Sequence, residues 1–89
     1  MPGKQQQKTP PVAIVTGVSG GIGEATARAL HTAGYRVFGT SRRPPAVGAP
    51  GVETLTCDVT SDESTRAAVA QVLQRTGRID LLVNNAGVG

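Results

Sequence analysis

Residues 16–23 read TGVSGGIG, and this stretch narrows the possible folds more than any other part of the chain. It follows a continuous apolar run, Val12-Ala13-Ile14-Val15, and leads into a helical pattern. A short apolar run of this kind suits a strand buried on both faces, as in a parallel sheet. Glycines between strand and helix let the backbone turn tightly and let another group come close to it. The helix N-terminus that follows presents unpaired N–H groups and a partial positive charge, which together favour phosphate. Gly17 would make the turn, Gly21 and Gly23 would leave room for a ligand and for the strand, and Ser19 would add a hydroxyl donor. A tight turn with no ligand would use the same glycines. A nucleoside-triphosphate P-loop is excluded, because no lysine stands in the turn. The G-x-G-x-x-G spacing is also absent, since Ser19 occupies its second glycine position.

The rest of the chain repeats the alternation. Residues 21–33 carry Ile22, Ala25, Ala29 and Ala33 at helical spacings, with Leu30 beside them. Glu24 lies in the first turn and Gly34 supplies a stop. Residues 35–40 read as a second strand, residues 41–51 as a proline- and glycine-rich loop, and residues 52–57 as a weaker third strand. A second helix is expected over residues 61–76, with Thr60 and Glu63 as a capping box and Val69, Val72 and Leu73 as its apolar stripe. Gly77 ends it, and residues 79–83 form a fourth strand. The expected fold class is α/β: the first half of a doubly wound parallel-sheet (Rossmann) fold, in the order β-α-β-β-α-β. Residues 1–11, polar and proline-bearing, are expected to be a disordered arm.

Composition restricts the function classes. The chain has 89 residues with 2% aromatics, so its core must be aliphatic. The net charge of +3 comes without a basic stripe interleaved with aromatics, which argues against nucleic acid. A single cysteine, Cys57, rules out a disulfide framework or zinc site within one chain, and it is expected to be a buried small apolar residue. No apolar run is long enough to span a membrane and no signal peptide is visible at the N-terminus, so a cytoplasmic protein is expected.

TGVSGGIG, then CDVT at residues 57–60 and NNAG at residues 84–87, occur in the order typical of the short-chain dehydrogenase/reductase family. The chain resembles the N-terminal part of that family over nearly all of its length after Pro11. The resemblance implies that residues 12–89 are a truncated NAD(P)-binding Rossmann domain, with a nicotinamide dinucleotide across the C-terminal ends of the strands. Gly17, Ser19, Gly20, Gly21, Ile22 and Gly23 would hold the pyrophosphate and neighbouring riboses. Asp58 and Val59 would contact the adenine, with Asp58 accepting from its amino group. Asn84 and Asn85 would brace the sheet and touch the adenosine ribose, and Ala86 and Gly87 would lie under the cofactor. For Asp58 the alternative is a cap on the following helix, and for the asparagines a purely structural role.

An NAD site usually carries an acid about 20 residues beyond the glycine turn. Between Glu24 and Glu53 the chain has none, and the second strand ends in Thr40-Ser41-Arg42-Arg43. A guanidinium pairs well with a 2′-phosphate, so Arg42 points to NADP(H) over NAD(H). A solvated basic loop end is the alternative. By resemblance, a serine and a Y-x-x-x-K pair further on would act on a carbonyl or alcohol substrate. The 89 residues hold none of the three; Tyr35 has Gly39, not lysine, four residues on. The chain is therefore expected to be a fragment, inactive alone, of an oxidoreductase for which a homo-oligomer is an expectation at full length. The competing expectation is a complete, non-catalytic nucleotide-binding or interaction module.

Overall fold

The computed structural model describes residues 9–18, 21–43, 51–58 and 60–84. Along them run β1 (Val12–Thr16), α1 (Gly21–Thr32), β2 (Arg36–Ser41), β3 (Val52–Thr56), α2 (Asp62–Thr76) and β4 (Leu81–Val83). The strands form one parallel sheet in the order β3-β2-β1-β4. This is the expected β-α-β-β-α-β half of a doubly wound fold.

The apolar run of β1 is continuous because the strand is covered on both faces. Val12 and Ile14 join Phe38, Leu55, Cys57, Ala68 and Val72 on the α2 side. Val15 joins Val18, Ala27 and Val37 on the α1 side, with Leu30 and Tyr35 packed against them. Phe38, the one phenylalanine, is fully buried. Each such side chain contributes roughly 1.5–3 kcal/mol on burial. By contrast, the ion pair Arg36–Glu53 across β2 and β3, at 2.7 Å, is half-exposed and adds little beside that burial. The Arg36 guanidinium also lies 5.1 Å from the centre of the Phe38 ring. Cys57 is buried, as its reading as a small apolar residue requires.

Four expectations need correction. The first is the stripe on α1. Ile22 is 74% exposed, and Ala25, Ala29 and Ala33 also face outward. The buried positions are Gly23 and Ala27, because a helix lying close on a parallel sheet must put its smallest residues inward. On α2, likewise, Ala68 and Val72 are buried while Leu73 is 44% exposed. The second is the α2 cap. Ser61, not Thr60, is the N-cap, and its Oγ accepts from the Ser64 amide at 3.2 Å. Gly77 closes the helix as expected, at φ 77° with its N–H on the Leu73 carbonyl.

The third is β4, which begins at Leu81 rather than Ile79. Asp80 takes over there. Its N–H donates to the Val12 carbonyl at 2.8 Å, and its carboxylate accepts from the Val12 N–H at 2.8 Å. A side chain thus replaces a strand-to-strand bond. Pro11 accepts from the Arg36 amide at 2.8 Å, and the Thr9 hydroxyl accepts from Arg78 at 3.3 Å, so contacts begin before β1. The fourth is β2, which is shifted by one residue and runs from Arg36 to Ser41; Leu82 on β4 is 59% exposed.

The Arg78 guanidinium holds the Asp80 carboxyl below its usual range, with the Val12 amide adding to the effect. A depressed acid stabilises the fold above its unfolded pKa, and that contribution fades as pH falls through the folded value. Asp80→Asn should therefore lower the melting temperature at neutral pH, and the gap from the parent should close below about pH 4. Thermal melts of both proteins from about pH 2.5 to about pH 7, which bracket the ordinary Asp pKa of about 3.9, check this; a gap independent of pH would show that the charge is idle.

Candidate functional site

The C-terminal ends of β1 and β2 meet through one carbonyl. Thr16 and Thr40 are register partners, and the Thr40 oxygen accepts from both the Gly17 amide at 2.9 Å and the Val18 amide at 3.0 Å. Gly17 sits at φ 72°, a backbone region that other residues rarely adopt. The glycine turn is thereby pinned to the end of β2 as it leaves β1. Val18 then folds back into the core against Gly39, where a methyl group would stand 2.7 and 2.8 Å from its γ-carbons. Neither Val18 nor Gly39 is singled out by motif reading. The usable signal was a glycine inside a strand pattern, which marks a close approach.

α1 starts at Gly21, where a side chain would enter open space. The first turn of the helix is thus accessible, and Gly23 behind it is buried toward the sheet. Ile22 projects outward beside them. These placements give a phosphate group both room and a helix N-terminus.

At the end of β2, Ser41 is buried and its hydroxyl is committed to Arg43, donating to the carbonyl at 3.0 Å and accepting from the amide at 3.2 Å. It puts no charge there. Arg42 beside it is exposed and makes no hydrogen bond or ion pair with the other described residues. β3 delivers Asp58 to the same edge. The Thr60 hydroxyl donates to Asp58 Oδ1 at 2.7 Å and the Thr60 amide to the same oxygen at 3.0 Å. These bonds, with a smaller contribution from the positive charge of Arg42, hold the Asp58 carboxyl below its ordinary range. It stays an ionised acceptor at neutral pH. On the far side, the Thr16 hydroxyl donates to Asn84 Oδ1 at 3.2 Å, which ties the end of β4 to β1.

Beneath these ends, on the α2 side, lies a largely apolar cavity of about 170 Å³ lined by Ile14, Thr40, Leu55, Val72 and Leu82 among others. Polar recognition therefore falls to the loops above it. The structure brings Gly17, Gly21, Ile22, Gly23, Arg42, Asp58 and Asn84 to one edge of the sheet. Ser19, Gly20, Val59, Asn85, Ala86 and Gly87 lie outside the described residues. Among the described residues no cluster of His, Cys, Asp and Glu suits a metal, and no helix is long and apolar enough to cross a membrane.

A parallel sheet with a glycine turn at the carboxyl ends of its strands is the arrangement of the doubly wound dinucleotide-binding folds. Residues 11–89 match the family model for short chain dehydrogenase. The chain belongs to the short-chain dehydrogenase/reductase family. It is 44% identical over 80 residues to a 3-ketodihydrosphingosine reductase of Bacteroides thetaiotaomicron, covering 90% of this chain and 29% of that one. A metagenomic short-chain oxidoreductase in complex with NADP superposes with a TM-score of 0.76 at 41% identity, over 89% of this chain and 40% of that one. A 3-oxoacyl-[acyl-carrier protein] reductase from Brucella melitensis, in complex with NAD, gives 0.79 at 36% identity, over 93% and 36%. The chain thus spans about three-tenths of the length of the curated relatives it matches.

The close fit of Val18 to Gly39 generates a test. Gly39→Ala should cost about 1–3 kcal/mol, because a stiff β-branched side chain cannot yield without moving the turn. Shortening the neighbour in Gly39→Ala/Val18→Ala should recover part of the loss. Urea titrations of the parent, Gly39→Ala, Val18→Ala and the double variant read the coupling, and strictly additive losses would contradict the contact.

Proposed function

We propose that this chain is the cofactor-binding part of an oxidoreductase that takes NADP(H) in preference to NAD(H) and moves hydride between it and a carbonyl/alcohol pair. The observation that carries the preference is the end of β2. A neutral, inward-held Ser41 stands there, followed by the exposed guanidinium of Arg42, which hydrogen-bonds to no other described residue. A 2′-phosphate meets no carboxylate at Ser41 and finds a bidentate donor beside it. The residues fit a dinucleotide in two further respects: the open space at Gly21 and the ionised Asp58.

The glycine turn would hold the pyrophosphate, with Ser19 and Gly20 completing it. Asp58 and Val59 would meet the adenine, Asn84 and Asn85 the ribose, and Ala86 and Gly87 the underside of the cofactor. The nicotinamide supplies or accepts the hydride when bound. The part played by these residues is to bind and orient it. The carbonyl or alcohol class of substrate rests on the family, and a cytoplasmic setting belongs to the same proposal.

Arg42→Ala, made in the protein at its native length, should weaken NADPH about 10- to 100-fold and leave NADH nearly unchanged, the loss of charged hydrogen bonds being specific to the phosphate. Titration of reduced-nicotinamide fluorescence measures both affinities. Equal losses for the two cofactors would remove Arg42 from 2′-phosphate recognition.

A further inference from the structure

The Asp58 carboxylate is held from one side only. Both Thr60 donors, hydroxyl and amide, go to Oδ1, and no described residue bonds Oδ2. The main chain of Asp58 is fixed as well. Its N–H donates to Ser64 Oγ at 2.9 Å, and its carbonyl accepts from the Ser61 amide at 2.9 Å. Backbone and side chain are thus immobilised together, which sets the direction of the remaining lone pairs. An ionised carboxylate can only accept. The oxygen left over suits an exocyclic amino group and disfavours a carbonyl in the same place.

We propose that Thr60 is a positioning residue: by occupying Oδ1 of Asp58 it presents Oδ2 to the amino group of the purine, and so sets the preference for adenine over a 6-oxopurine. The inference rests on the reading of Asp58 as the residue that meets the base. Thr60 does not cap α2, since Ser61 does, so its hydroxyl can be removed without unmaking the helix start. Without it the carboxylate keeps only the amide bond at 3.0 Å and is free to turn toward the positive charge of Arg42. Ordering lost in this way falls on the ligand that uses the carboxylate, and not on one that does not.

The test compares the parent protein at its native length with Thr60→Val, which keeps the shape, and Thr60→Ser, which keeps the hydroxyl. Each is titrated with NADPH and with its hypoxanthine analogue, in which a carbonyl replaces the 6-amino group, by nicotinamide fluorescence. The expected result is a parent preference for the amino purine that shrinks about tenfold in Thr60→Val, the worth of one charge-assisted hydrogen bond. It should return in Thr60→Ser, with affinity for the hypoxanthine analogue little changed throughout. An unaltered ratio in Thr60→Val overturns the proposal while leaving Asp58 as base reader. Equal losses for both ligands also overturn it, because they mark general damage. A parent that does not distinguish the two purines overturns the reading of Asp58 and the proposal with it. Failure to bind either dinucleotide overturns the proposed function itself.

Discussion

The arrangement depends on β1 being paired on both sides and covered on both faces. Its backbone is bonded to β2 on one side and to β4 on the other, with the Asp80 carboxylate taking the Val12 N–H, and the two helices bury Val12, Ile14 and Val15. An apolar strand in that position has no cheaper alternative, because exposing either face or either edge would forfeit burial or leave polar groups unmet. With β1 fixed, the parallel register carries the ends of all its neighbours to one edge. The glycine turn, Arg42, Asp58 and Asn84 meet there as a result of strand pairing, although up to 67 residues separate Gly17 from Asn84 in the chain.

Much of this was legible before any coordinates. Strands and helices alternate audibly in Val12–Val15, in the glycine stretch and in the stop at Gly77, because each is a local rule acting locally. The motifs TGVSGGIG, CDVT and NNAG named the family, since several short patterns in the right order constrain a fold far more than one. What resisted reading was packing at close range. Counting apolar residues put Ile22 and Ala25 inside α1, but distance to the sheet selects Gly23 and Ala27, and hydrophobic spacing is blind to that. The cap of α2 fell one residue later than the T-x-x-E pattern suggests: Ser61 Oγ accepts from the Ser64 amide, while the Thr60 hydroxyl donates to Asp58. Asp80 gave no signal at all: nothing in its neighbours shows that a carboxylate will stand in for a strand bond to a residue 68 positions away.

Within the site, the residues that touch a ligand and those that hold them are distinct sets. Motifs name the first. Val18, Gly39, Ser64 and Thr60 belong to the second, and they emerged only from distances. Their roles are complementary: Gly39 makes space for Val18, Val18 anchors the turn, and Ser64 and Thr60 fix Asp58 from two directions.

The shared acceptor at Thr40 has a further consequence. A single carbonyl oxygen joins the start of the glycine turn to the strand that Arg42 follows, so the two halves of the edge share one hydrogen-bond acceptor. A designer who wished to exchange one dinucleotide for the other by rewriting the residues after Thr40 would also be tilting the turn behind it. Substitutions on the two sides of that oxygen should therefore not be tuned one at a time, and libraries that vary them jointly have the better prospect of keeping the turn in place.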